Sequence, residues 1–239
     1  MPAESEPLDL AARWCDLCYR IGAKGNKAYH LKLFGQLIYH YCAPDRHYHN
    51  LDHIRTCLIE LDKIRHLISG QGRCDNVELA IWFHDAVYEV WAEDNEARSA
   101  SMAIFFIHHL MELPPEVASK VAYLIENTAY FTKGMKYEVF DDGKYLVDID
   151  LYVGMGGVPY TFRANSILID MEWDWADPVE RKKSKLKVFQ MFEKRRPFFL
   201  TGYYWERYEN QVRTNLASAI KELETELSNE AASSKQIPS

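Results

Sequence analysis

Apolar side chains recur three and four residues apart along most of this chain, and that spacing limits its fold more than any other feature. With 3.6 residues per turn, such positions share one face of a helix, whereas a half-buried strand needs strict alternation, which is scarce here. Leu10, Trp14, Leu17 and Ile21 make a first stripe, stopped by Gly22 and Gly25. Leu31, Phe34, Ile38 and Tyr41 make a second, ending ahead of Pro44. Leu51, Ile54, Leu58, Leu61, Ile64 and Ile68 make a third, closed by Gly70. A fourth helix, with Asp75 or Asn76 as its cap, carries Val77, Ile81 and His84 on one face.

The same reading continues to the C-terminus. Residues 93–95 open a fifth helix that runs to Leu110, and Pro114, Pro115 and Glu116 start a sixth that reaches about residue 131. Residues 132–143 are polar and read as a loop. A short helix over 144–153 is broken by Gly154, Gly156, Gly157 and Pro159, and another follows over 160–173. Asp177 and Pro178 form a cap and first-turn proline for a basic helix to Lys194. A last long helix from near Thr201 carries Tyr204, Tyr208, Val212, Leu216, Ile220, Leu223 and Leu227. The expectation is an all-α, single-domain helical bundle over residues 1–230, followed by a flexible tail over 231–239.

Composition narrows the function classes. A net charge of -7 argues against an extended nucleic-acid or anionic-membrane surface, which would gather lysine and arginine. No apolar run approaches the roughly 20 residues that span a bilayer, and the N-terminal MPAESEPLDL is acidic where a signal peptide is basic. The five cysteines (15, 18, 42, 57 and 74) lie in or beside helices, which fits reduced thiols and a cytoplasmic location; Cys15 and Cys18 read as two helix-face thiols.

Three stretches concentrate metal-binding chemistry. His49 and His53 are four apart, so on a helix begun by Asn50 they project from nearly the same side. His84 and Asp85 follow the apolar Ile81-Trp82-Phe83, where an ionised carboxylate is costly without a cation. Neighbouring helical residues diverge by about 100°, so both reach one ion only near a helix end. In Leu146-Val147-Asp148-Ile149-Asp150-Leu151, Asp150 shares a stripe with Leu146 and Val153, while Asp148 lines up with Tyr145 and Tyr152; Asp150 is therefore taken as the inward acid. Two imidazoles and two carboxylates suit one divalent ion, with Mn, Mg, Fe, Co, Ni and Zn all open.

The ordered set His53, His84-Asp85 and Asp150 resembles the H…HD…D signature of the HD phosphohydrolase superfamily. Four motifs carry the likeness: R-x-Y-H-N-x-x-H at 46–53, W-F-H-D-x-V-Y at 82–88, D-N-E-x-x-S-A at 94–100 and D-x-D-L at 148–151. The resemblance implies metal-dependent hydrolysis of a small phosphorylated substrate, such as a nucleotide, by water that the cation activates. The Y-H-N-x-x-H stretch is also similar to that of cyclic-nucleotide phosphodiesterases, which implies His49 as proton donor to the leaving group. Arg46 is a candidate phosphate clamp, and Asn95 and Glu96 are candidates for orienting substrate or water.

Two departures bear on this reading. Relatives often carry a His just after the threonine of the sixth helix and an Arg in an I-R-x-E-Y stretch. This chain has Thr128-Ala129-Tyr130-Phe131 and Ile169-Asp170-Met171-Glu172-Trp173. The first weakens a two-metal site, and the second removes a usual substrate contact. The alternatives are a non-catalytic metal-containing binding module and a di-iron oxygenase, the latter needing further His ligands. The aromatic last helix could supply a homodimer face.

Overall fold

A computed structural model describes residues 8–131 and 142–234, and among these residues every regular element is helical. The all-α expectation is met. The loop read over 132–143 lies outside the described residues for 132–141, as do residues 235–239 of the tail. No described helix is long and apolar enough to cross a membrane. The sequence reading takes 1–230 as one domain; by contacts the chain groups into two compact units, residues 1–149 and 150–239.

The first unit is built from α1 (Leu10–Arg20), α2 (Lys27–Tyr39), α3 (Leu51–Ile64), α4 (Gln71–Phe83), α5 (Asn95–Ile104), α6 (Pro115–Glu126) and most of α7 (Gly143–Leu151). Short 3₁₀ turns extend α3 through Leu67 and α6 through Phe131, and a π-helical stretch extends α5 through Leu110. Helix α4 is the centre of this unit. All eight residues from Val77 to His84 are buried, as expected of a helix enclosed on every side. Trp82 meets Trp14 of α1 edge-on, with ring centroids 5.6 Å apart, and Phe34 of α2 at 6.0 Å. The Tyr41 hydroxyl donates to the Trp82 carbonyl at 2.9 Å.

Two expectations are corrected here. The buried line of α2 is His30, Leu33, Leu37 and Tyr41, and Leu31 is exposed. Hydropathy misplaces the stripe by one position because a histidine stands in it, its Nε2 3.1 Å from the Lys24 carbonyl. Helix α4 begins at Gln71, so Asp75 lies inside it and does not cap it. Asp75 and Glu78 are buried acids facing arginines: Arg20 binds Asp75 at 2.7 Å, while Arg13, Arg20 and Arg65 bind Glu78 at 2.8, 2.9 and 2.6 Å. Buried charge of this kind needs partners, and here the partners come from α1 and the end of α3.

The second unit holds α8 (Pro159–Glu172), α9 (Pro178–Lys194) and α10 (Gly202–Ser234), preceded by a π-helical turn over Tyr152–Gly156. Asp177 caps α9 by accepting from the Val179 and Glu180 amides, both at 3.0 Å, as its sequence foretells. Aromatic rings fill the space between α9 and α10, with Phe192, Phe198, Phe199 and Tyr204 buried. Asn215 on α10 donates to the Met155 and Gly157 carbonyls at 3.0 and 2.8 Å, tying down the open carbonyls where the π turn ends. Residues 231–234 are helical, so the reading of a tail beginning at Ala231 is corrected to the extent of that last turn.

Candidate metal centre

Helix α3 starts at Leu51 because Asn50 caps it. The Asn50 Oδ1 accepts from the Asp52 amide at 2.8 Å and the His53 amide at 3.4 Å, while its Nδ2 donates to the Arg46 and His47 carbonyls. That grip sets His53 in the first turn, on the side turned to the core, where it is buried. His84 is the C-cap of α4 and Asp85 is the next residue, so the helix end lets the two neighbours converge, as their adjacency requires. The boundary between the two units falls inside α7, and Asp150 is borne on the last turn of that helix.

The ligand atoms meet closely. His53 Nε2 and His84 Nε2 are 3.1 Å apart, and Asp85 Oδ2 lies 3.1 Å from His84 Nε2 and 3.5 Å from His53 Nε2. Two ligands bonded to one ion at about 2.1 Å stand about 3.0–3.4 Å apart for bond angles between octahedral and tetrahedral. One ligand atom from each of His53, Cys57, His84 and Asp150 falls within 4.8 Å of all the others. These residues can hold a metal ion.

Electrostatics agrees with the distances. The His84 Nδ1 faces the Ile81 carbonyl at 2.9 Å, which places a proton on Nδ1 and turns the Nε2 lone pair toward the cluster. Asp85 Oδ2 is buried and receives no hydrogen bond. A lone pair and a carboxylate oxygen packed together in the interior call for a cation between them.

The remaining sequence candidates divide. His49 is half-buried, stacked on Tyr88 with centroids 3.9 Å apart, and its ring lies 6.1 Å from that of His53: beside the cluster and outside it. The clamp role read for Arg46 is corrected to positioning. Its Nη1 donates to the His49 carbonyl at 3.1 Å and the Asp85 carbonyl at 2.6 Å, and its Nη2 to the Ala86 carbonyl at 3.2 Å. Arg46 thereby neutralises open carbonyls at the end of α4 and fixes the backbone that presents Asp85.

Asn95 is likewise corrected: it accepts from the Glu89 amide at 3.0 Å and donates to the Glu89 carbonyl at 2.8 Å. Ser99 makes the matching pair with the amide and carbonyl of Val87 at 3.0 and 3.1 Å. The D-N-E-x-x-S-A stretch therefore anchors the segment leaving the metal ligands. Glu96 lies half-buried in the first turn of α5.

Sequence reading passed over Cys57. It is buried, one turn beyond His53 on α3, with Sγ 3.7 Å from His53 Nε2. The available signal was its i, i+4 spacing from a candidate ligand. A cleft of about 400 Å³ is lined by residues of the second unit. Its basic side chains are engaged: Lys185 with Asp170 at 2.6 Å, Lys182 with Glu226 and Glu230 at 2.9 and 2.7 Å, Arg163 with Glu222, and Arg181 with two carbonyls.

Compared with known protein families, with curated proteins and with solved structures, the chain matches none. What bears on function is an all-helical scaffold and a cluster of buried His53, Cys57 and His84 with half-buried Asp150, able to hold a metal.

Proposed function

We propose that this chain is a metal-dependent phosphohydrolase of the HD type that acts on a nucleotide or another small phosphoester. The observation that carries the reading is the convergence of His53, His84 and Asp150 from three distant stretches of sequence into one group, with the Asp85 carboxylate beside the two imidazoles. A divalent cation held there would activate water and offset charge on a phosphoryl group. His49, its ring 6.1 Å from that of His53 and stacked on Tyr88, would give a proton to the leaving oxygen. Arg46 keeps the Asp85 backbone in register, and Asn95 and Ser99 hold the segment beyond it. The four sequence motifs in order add support from outside the geometry.

One observation favours a second reading, a metal-containing module that binds a ligand without turning it over. Arg46, the residue read as a phosphate grip, spends its Nη1 donors on main-chain carbonyls. A di-iron oxygenase asks for more imidazoles than the two in this cluster.

Elemental analysis of the wild type beside His84→Ala, followed by phosphate release from a panel of nucleotides and phosphomonoesters with Mn²⁺, Mg²⁺, Co²⁺ and Ni²⁺, tests the proposal. The expected result is metal and phosphate release in the wild type and neither in the variant. Metal with ligand binding but no release across the panel would favour the binding module, and no metal under any condition would end both readings.

A further inference from the structure

The hydrolase reading uses two imidazoles and two carboxylates, and it leaves Cys57 unexplained. We infer that Cys57 binds the metal through its sulfur, and that the centre takes a thiophilic divalent ion such as Zn²⁺, Co²⁺ or Fe²⁺ in preference to Mg²⁺. The inference rests on the metal-centre part of the proposed function and is independent of the reaction.

The geometry is that of a shared ligand sphere. A sulfur at about 2.3 Å and an imidazole nitrogen at about 2.0–2.1 Å from one tetrahedral ion are separated by about 3.6 Å. Cys57 Sγ is 3.7 Å from His53 Nε2, and it falls in the same 4.8 Å group as ligand atoms of His84 and Asp150. Mere packing would also bury a cysteine, because a free thiol behaves as a small hydrophobe. The other buried cysteines supply the contrast. Cys15, Cys18 and Cys74 are buried too, yet among the described residues none of them joins a metal-binding group, and Cys74 Sγ takes a hydrogen bond from Arg65 at 3.2 Å.

The chemistry follows from the donor set. Mg²⁺ demands oxygen ligands and keeps its waters, while thiolate and imidazole donors suit softer ions. When the sulfur–metal bond forms, the S–H bond breaks and its proton passes to solvent, so loading the site releases a proton that a sulfur-free site would not. The resulting thiolate joins the two carboxylates in offsetting the ion's charge inside the core, where an uncompensated charge is costly.

Cobalt loading reads the inference directly. Metal-free wild-type protein titrated with Co²⁺ should develop a near-ultraviolet sulfur-to-cobalt charge-transfer band. Cys57→Ser and Cys57→Ala should still bind Co²⁺ but lack the band, and Cys42→Ser, which removes the exposed thiol, should keep it. In competition titrations the preference for Zn²⁺ over Mg²⁺ should fall in Cys57→Ser by more than the roughly tenfold to hundredfold typical of losing an outer-shell partner. Wild-type protein that binds Co²⁺ without the band would overturn the role of Cys57 and leave the metal centre standing. Wild-type protein that binds no Co²⁺ would overturn both.

Discussion

Asn50 illustrates how a single polar residue sets the geometry of the centre. Its side chain accepts from the first amides of α3 and donates to two carbonyls of the preceding turn, so the helix carrying His53 and Cys57 cannot start elsewhere without losing those bonds. Asn50→Ala should therefore cost about 1–2 kcal/mol in a denaturant titration and weaken metal binding as well, although residue 50 touches no metal. The cysteines make a second prediction at this scale. Cys42 is exposed and the other four are buried, so a thiol reagent should modify one site in the native protein and all five after unfolding. Burial, helped by neighbouring Cys15, pushes the Cys18 thiol up to about 12, so it stays protonated at neutral pH and is a poor nucleophile.

At the scale of elements, the first unit is organised around α4, and its exposed-looking acids turn out to be internal struts. Glu78 is 1% exposed and receives three guanidinium groups, from Arg13 and Arg20 of α1 and from Arg65 just past α3. Removing the acid leaves three cations facing one another, a loss that typically costs about 3–5 kcal/mol for a buried pair. Glu78→Ala should fall near 3 kcal/mol, since the Arg20 and Arg65 side chains are 32% and 31% exposed and can turn to water. Urea unfolding measures it, and a loss below about 1 kcal/mol would mean the arginines are already solvated in the native state.

For the whole molecule, metal and pH should act on stability through separate groups. An ion that binds only the folded chain stabilises it by about 2.7 kcal/mol at a hundred times its Kd, so Zn²⁺ or Co²⁺ should raise the thermal midpoint and a chelator should reverse the gain. Acidification should shrink that gain, because protons compete for the same nitrogen, sulfur and oxygen atoms. At alkaline pH, with chelator present, Cys18 matters instead. Its folded-state value near 12 lies above the roughly 8.5 of a thiol in the unfolded chain, so its contribution is complete below about pH 8.5 and is lost as pH rises toward 12. Thermal midpoints measured against pH should decline through that window, and Cys18→Ala should flatten the decline.

The helical class, nearly every helix and three residues of the metal-binding group were legible in the sequence, because hydrophobic spacing, prolines and capping residues act locally; counting faces on α7 nonetheless turns Asp150 inward and Asp148 outward, whereas Asp148 is fully buried and Asp150 half-buried. Sequence reading misjudged polar side chains whose hydrogen-bond partners only the folded chain brings beside them. Asp75 reads as a cap until Arg20 is beside it, and Arg46 and Asn95 read as ligand-binding groups until their bonds to the main chain of Asp85 and Glu89 are seen. Cys57 reads as an ordinary core thiol, and only the meeting of α3, the end of α4 and α7 turns it into a neighbour of two imidazoles and a carboxylate. Periodicity says which face of a helix is buried; tertiary packing alone decides what that face is buried against, and the chemistry of this centre resides in that choice.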